Sequence, residues 1–316
     1  MNGKETKKDK SSRSNIQDDK NKIIKLLQNN YQVILNGAPG AGKTYTAREV
    51  ALEITNDPKN IKLVQFHPSY DYTDFVEGYK PVNDNNENIR LKFKLTDGVF
   101  KEFCNTASKP ENNKQKYVFI IDEINRAEIS KVFGELMFAL EPDYREKINE
   151  QKNDNSFGGV SLQYSKEIFK IPDNVYIIGT MNDIDRSVEV FDFAMRRRFA
   201  WHEIKANEVM ESVLESMLKN SGFKNIKNLA QRANYINNCI TNDGELFGLN
   251  EHFHIGPSYF SKIIKFNDDD KYRNLWDYYI KQIITEYVKG YTGRDSEEFI
   301  KKCEKLLVGK DSESNE

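Results

Sequence analysis

A glycine-rich octapeptide, Gly37-Ala38-Pro39-Gly40-Ala41-Gly42-Lys43-Thr44, carries the strongest chemical signal in the sequence. Its spacing is G-x-x-x-x-G-K-[ST], placed between an apolar strand-like run and a helix-like one. Glycines let successive backbone N–H groups turn toward one phosphate, and the helix N-terminus that follows adds partial positive charge. Lys43 is positioned to reach the β- and γ-phosphates of a nucleoside triphosphate, and the Thr44 hydroxyl to ligate Mg²⁺. Tyr45 is grouped with these nucleotide-binding residues. The bland alternative is a chance glycine turn at a helix start, which a full match in this context disfavours.

Further along, Tyr117 to Ile121 is an apolar run that ends in Asp122 and Glu123. Asp122 suits Mg²⁺ held through water, and Glu123 suits polarisation of an attacking water. Phosphoryl transfer relies mainly on such positioning and charge stabilisation. Alone, two acids at a strand end read as solvated turn residues; with a phosphate loop in the same chain they read as catalytic. Asn125 and Arg126 either orient water or meet a neighbouring subunit, or else are a cap and a surface charge. A second buried run, Val175 to Gly179, leads to Asn182, whose amide can hold γ-phosphate and water together. Arg196, Arg197 and Arg198 are consecutive. On a helix they fan out at about 100° each, so they cannot all serve one site. Arginine's planar, always-charged fork suits a γ-phosphate, and one supplied in trans accelerates related reactions by about 10³- to 10⁵-fold. By itself the run reads as a solvated basic patch.

Strands and helices must alternate to hold these residues. Strands are expected at 31–36, 61–66, 117–121 and 175–179, a loop and strand at 82–95, and a hairpin at 160–169. A short amphipathic helix is expected from residue 16, on Ile23, Ile24, Leu26 and Leu27, and further helices at 44–55, 98–107 and 130–140. This is a doubly wound α/β core, a parallel sheet sandwiched by helices. From residue 204 the pattern turns helical (209–218, 226–238, 259–266, 275–291, 297–307), which implies a separate lid. The expected division is a disordered basic tail at 1–20, an α/β nucleotide-binding core at 21–203, a helical lid at 204–310 and a polar tail at 311–316.

The chain has 316 residues, 38% hydrophobic and 30% charged, with a net charge of −2. That allows a core plus a smaller domain and excludes a nucleic-acid polycation. No apolar stretch is long enough for a membrane span or a signal core, which points to a cytoplasmic protein. The three cysteines, Cys104, Cys239 and Cys303, are widely spaced and read as reduced thiols. Phe66, Tyr70 and Tyr72 read as core rather than base-stacking groups. His67, His252 and His254 read as structural or surface residues.

The ordered motifs resemble the McrB-like AAA+ family. Thr180-Met181-Asn182-Asp183-Ile184-Asp185-Arg186-Ser187 is similar to its Met-Asn-Thr-Ala-Asp-Arg-Ser signature, with Asp183-Ile184 in place of Thr-Ala. Gln65 to Tyr70, Asp74 to Tyr79, Asp122 to Arg126, Gly134 to Met137, the arginine run and Ile255 to Phe260 match as well. The resemblance implies an AAA+ core with a helical lid, working as a homo-oligomeric ring, usually a hexamer. It implies Mg²⁺-dependent hydrolysis of GTP, with ATP open, since no guanine motif of the Asn-Lys-x-Asp type is present. Asn182 would be the sensor that positions water, and Arg197 and Arg198 would act in trans. A McrC-like nuclease is the implied partner, with DNA engaged indirectly and no nuclease centre in this chain. The alternative is a protein-remodelling chaperone of the MoxR or dynein-related branch. Only about twenty residues precede the motor, so the expectation is either that target reading lies in another protein or that the chain is a motor fragment.

Overall fold

The computed structural model describes residues 9–82, 92–148, 159–184, 193–266, 269–291 and 293–309. A helix, α1 (Asp9–Asn30), leads into β1 (Gln32–Asn36), the phosphate loop and α2 (Lys43–Thr55). Then come β2 (Ile61–Gln65), α3 (Tyr72–Phe75), β3 (Glu77–Val82), β4 (Lys92–Asp97) and α4 (Val99–Ala107). The core continues with β5 (Tyr117–Asp122), α5 (Ile129–Phe133), α6 (Leu136–Ala139), β6 (Val160–Ser161) and β7 (Ile168–Phe169). It closes with β8 (Val175–Thr180), α7 (Phe193–Arg196) and β9 (Ala200–Glu203).

The main sheet has the order β2-β5-β8-β1-β9 and is parallel throughout. Side chains alternate between its two faces, so each apolar strand feeds two separate layers. Phe119, Ile121 and Ile177 pack with Phe75, Phe100 and Phe133 on one side. Val118, Ile120 and Ile178 pack with Ile23 and Leu27 of α1 and Val50 and Ile54 of α2 on the other. Burial on both faces explains why β5 and β8 read as continuous apolar runs rather than as alternating ones.

A third cluster belongs to α8 (Ala206–Leu218), α9 (Ile226–Asn242), α10 (Pro257–Phe260), α11 (Lys271–Leu275), α12 (Lys281–Tyr287) and α13 (Arg294–Val308). Trp276 lies fully buried at its centre, in a π-helical turn joining α11 to α12. The expected helix at 275–291 is thus two helices joined by a wider turn, ending at Tyr287. The expected helix at 259–266 is the short α10 continued by a 3₁₀ stretch.

Several expectations are corrected. α1 begins at Asp9, inside the stretch 1–20 expected to be disordered; residues 1–8 and the tail 311–316 lie outside the described residues. Ile23 and Leu27 anchor this helix, and propagating it N-terminally is cheap once that turn exists. The single helix expected at 130–140 is divided at Gly134, whose φ of 51° is left-handed. The strand pair β3–β4 forms a separate antiparallel hairpin; Gly78 and Pro81 in β3 obscure it in the sequence. Within it, Glu77 is fully buried, 2.9 Å from Lys101 Nζ, and accepts from the backbone N–H of Tyr164 and Ser165. The cysteines are free thiols, yet Cys239 and Cys303 lie Sγ to Sγ 3.8 Å apart inside the lid. No helix among the described residues is long and apolar enough to cross a membrane.

Candidate active site

β5, β8 and β1 are neighbouring parallel strands, so their C-terminal ends open on one edge. The register pairs Ile121 with Gly179 and Leu35 with Thr180. Asp122 and Glu123, Asn182, and the phosphate loop therefore meet there, although 59 to 145 residues separate them in the chain. Gly37, Gly40 and Gly42 have φ values of 143°, 73° and 92°. Side chains rarely tolerate such torsions, which is why the loop needs glycine at these positions.

Lys43 is 7% exposed. Its Nζ donates to Gly37 O at 3.0 Å, Ala38 O at 2.8 Å and Asn182 Oδ1 at 2.8 Å. Asn182 Nδ2 in turn donates to Glu123 Oε1 at 2.8 Å. Glu123 Oε2 is buried without a hydrogen-bond donor, 3.4 Å from Arg126 Nε. Glu123 itself sits at φ 52°, ψ 45°, the left-handed region, which costs a non-glycine residue about 1–2 kcal/mol. Burial lowers the Lys43 pKa to about 8, against the raising influence of Glu123, Asp183 and Asp122. Asn125 is 4% exposed and reaches Asn182 O at 3.5 Å, a supporting rather than a surface position.

Thr44 Oγ1 and Thr180 Oγ1 both donate to Asp122 Oδ1, each at 2.6 Å. Thr180 also accepts from Glu123 N at 3.3 Å. Sequence reasoning gave Thr180 no role; its position at a buried strand end, two residues before Asn182, was the available signal. Thr44 and Asp122 present hard oxygen donors side by side, a set that fits Mg²⁺. When bound there, that ion would neutralise phosphate charge.

The lid reaches the loop through backbone. Gly256 N donates to Pro39 O at 3.0 Å, and Ser258 N to Gly40 O at 3.2 Å. A Cβ on Gly256 would lie 2.1 Å from Gly40 C, so no side chain fits there. Asn237, fully buried in α9, holds this segment by donating to Ile255 O at 3.1 Å and accepting from Ile255 N at 2.8 Å. Nothing local in the sequence marks Asn237. Tyr45 extends toward the lid, its hydroxyl 3.0 Å from Ser216 Oγ.

The arginines lie at the opposite end of the sheet. Gln32, the first residue of β1, donates from Nε2 to Arg198 O at 2.7 Å, whereas the phosphate loop follows the last residue of that strand. Arg197 is exposed; Arg198 is buried, with Nε 3.2 Å from Glu141 Oε1 and its guanidinium 5.8 Å from the Phe138 ring centroid. Arg196 lies over the Trp201 ring. Asp185, Arg186, Ser187 and Asp192 fall outside the described residues. Phe66 and Tyr70 stack on each other at 4.6 Å within the core, and Tyr72 donates to Glu135 Oε1 at 2.6 Å. His67 is exposed against Tyr70, and His254 Nε2 is 2.8 Å from Thr241 Oγ1.

Residues 32–199 match the AAA domain (dynein-related subfamily). The chain is 41% identical over 244 residues to the type IV methyl-directed restriction enzyme EcoKMcrB subunit of Escherichia coli K12, covering 75% of this chain and 49% of that protein. It is 30% identical over 206 residues to the type II restriction enzyme BsuMI component YdiS of Bacillus subtilis 168, covering 57% and 59%. The chain thus spans about half the length of the curated relatives it matches. A crystal structure from Cytophaga hutchinsonii covers 94% of this chain and 86% of that one at 14% identity, but its TM-score of 0.37 is too low to carry an argument. The phosphate loop, the acidic strand end beside it and the match over more than half of the chain lead to one assignment: this chain belongs to the AAA domain family, dynein-related subfamily, and is a McrB-like AAA+ protein.

Proposed function

We propose that the chain is a ring-forming motor that hydrolyses a nucleoside triphosphate, GTP before ATP, and drives a McrC-like nuclease in DNA restriction. The observation that carries the hydrolytic reading is the unbroken hydrogen-bonded path Lys43–Asn182–Glu123. In it, Lys43 exchanges loop carbonyls for phosphate oxygens, and Asn182 keeps that amine in register with Glu123. Glu123, with one oxygen free of donors, accepts a proton from water as the water oxygen bonds to the γ-phosphorus and the bond to the bridging oxygen breaks. Thr44 and Asp122 would hold Mg²⁺.

Arg197 and Arg198 cannot reach the phosphate loop of their own chain from the far end of the sheet. A second copy, apposed in a ring, would receive them. That supports the trans role, with exposed Arg197 the direct contact and Arg198 the support beneath it. GTP is placed before ATP by the resemblance to the McrB-like family alone. The restriction setting rests on the two restriction-enzyme relatives.

The test is turnover of GTP and ATP side by side, with and without a McrC-like partner. Lys43→Ala is expected to abolish nucleotide binding, and Glu123→Gln to bind without hydrolysing. Full turnover by Glu123→Gln would refute the mechanism. ATP-specific turnover that no nuclease stimulates would favour the second reading, a protein-remodelling ATPase, which the dynein-related match also supports.

A further inference from the structure

Beside the phosphate loop, where Asp183 N donates to Gly37 O at 3.4 Å, Asp183, Glu203 and His252 each offer a ligand atom within 4.8 Å of the others. The three come from separate elements. Asp183 follows β8, Glu203 ends β9, and His252 lies in the lid turn Glu251–Phe253. Asp183 is 11% exposed at its side chain and is fixed from below, since Asn36 Nδ2 donates to its two oxygens at 3.1 and 3.3 Å. His252 Nδ1 stands 3.2 Å from Asp183 Oδ2 on the open side.

We propose that Asp183, Glu203 and His252 form a divalent-metal site of the zinc class that ties the helical lid to the nucleotide-binding core. Two carboxylates converging on one point repel each other unless a cation lies between them. An imidazole nitrogen beside two carboxylates selects borderline ions such as Zn²⁺ or Co²⁺ over Mg²⁺, which separates this set from the all-oxygen pair Thr44 and Asp122. Three protein ligands leave coordination positions for water. A neighbouring cavity of about 160 Å³ supplies the room; Glu203, Glu208, Glu251 and His254 are among its lining residues. His254 does not belong to the converging set; its Nε2 stands 2.8 Å from Thr241 Oγ1.

One feature gives the site consequence: His252 lies just before the Gly256–Ser258 segment that bonds to the phosphate loop. Metal binding there would fix the lid against that loop and resist its opening. The site does not depend on the reading of the nucleotide chemistry, because it is tested without nucleotide.

The experiment titrates Co²⁺ into the full, nucleotide-free chain in excess Mg²⁺, following the visible d–d bands. One Co²⁺ per chain is expected, displaced by Zn²⁺, with Zn²⁺ also raising the melting temperature. His252→Ala and Asp183→Thr should each weaken binding by at least about tenfold and remove the thermal shift. Glu203→Gln carries the same test if either variant fails to fold. Binding unchanged in the variants, no binding by the wild-type chain, or a near-ultraviolet thiolate-to-Co²⁺ band from Cys239 and Cys303 would overturn the proposal.

Discussion

The two ends of the main sheet bury polar groups in opposite ways. At the N-terminal end, side chains bond to backbone. Arg145, 2% exposed, donates to Pro172 O at 3.2 Å and Val175 O at 2.6 Å. It also donates to Gln32 Oε1 at 2.8 Å and lies over the Tyr31 ring at 4.5 Å. Gln32 passes the contact on to Leu140 O and Arg198 O, and Asn174 closes the turns after α4 by donating to Ala107 O and Gln115 O. At the C-terminal end, side chains bond chiefly to one another: Lys43 to Asn182, Asn182 to Glu123, Thr44 and Thr180 to Asp122. Backbone carbonyls hold their places, so the first end is a fixed staple. Bonds between side chains can be exchanged for bonds to a ligand, so the second end is poised to rearrange. Polar side chains are locked and nearly fully buried at one edge, and exchangeable and mostly half-buried at the other.

The sharpest way to break this comparison is Glu123→Gln. Turnover should fall by about 10²- to 10⁴-fold while the melting temperature stays near wild type. A matching loss of stability would make the C-terminal edge a staple too. Arg145→Ala should do the reverse. Removing a buried, bonded cation strands its carbonyl partners at about 1–3 kcal/mol each, read from urea unfolding, with nucleotide affinity of the folded fraction retained. Arg145→Lys should recover little of it, because one ammonium cannot reproduce the planar fork.

Thr180→Val tests a group that touches both roles. Asp122 loses one of its two hydroxyl donors, which should cost about 0.5–1.5 kcal/mol in stability and raise the Mg²⁺ concentration needed for turnover.

The smallest effect is a proton. Burial depresses the Lys43 pKa to about 8 from 10.5, so between those values the unfolded chain binds more protons than the folded one. Folding stability should therefore rise with pH across that window, a slope that Lys43→Met removes. Phosphate restores the charge, so nucleotide binding at pH 8.5 should take up a fraction of a proton and at pH 6.5 almost none. Calorimetry in two buffers of different ionisation enthalpy measures it.

What the sequence disclosed follows the range of the forces involved. The phosphate loop is legible because its torsions and its lysine lie within eight consecutive residues. β5 and β8 are legible because burial on both faces leaves only apolar side chains. The edge strand β9, Ala-Trp-His-Glu, is half-buried and carries no such run. Asn237 and Arg145 look like ordinary surface polar residues until α9 meets the lid segment and the turn after α6 meets the sheet. Asp183 and His252, 69 residues apart, share no local pattern. Three arginines in a row announce different directions, but only the packed structure gives Arg198 to Glu141 and leaves Arg197 outside.

One contact has a mechanical meaning. Between Gly256 and the loop at Gly40 there is no intervening side chain, only peptide against peptide. Side chains are compliant: they change rotamer and absorb displacement. A junction built without them has almost no play. Any rotation of the lid must be felt by the phosphate loop within a fraction of an ångström, and any tightening of that loop must turn the lid. The chain has a stiff linkage between its lid and its phosphate loop, and even the single methyl group of Gly256→Ala would force it apart.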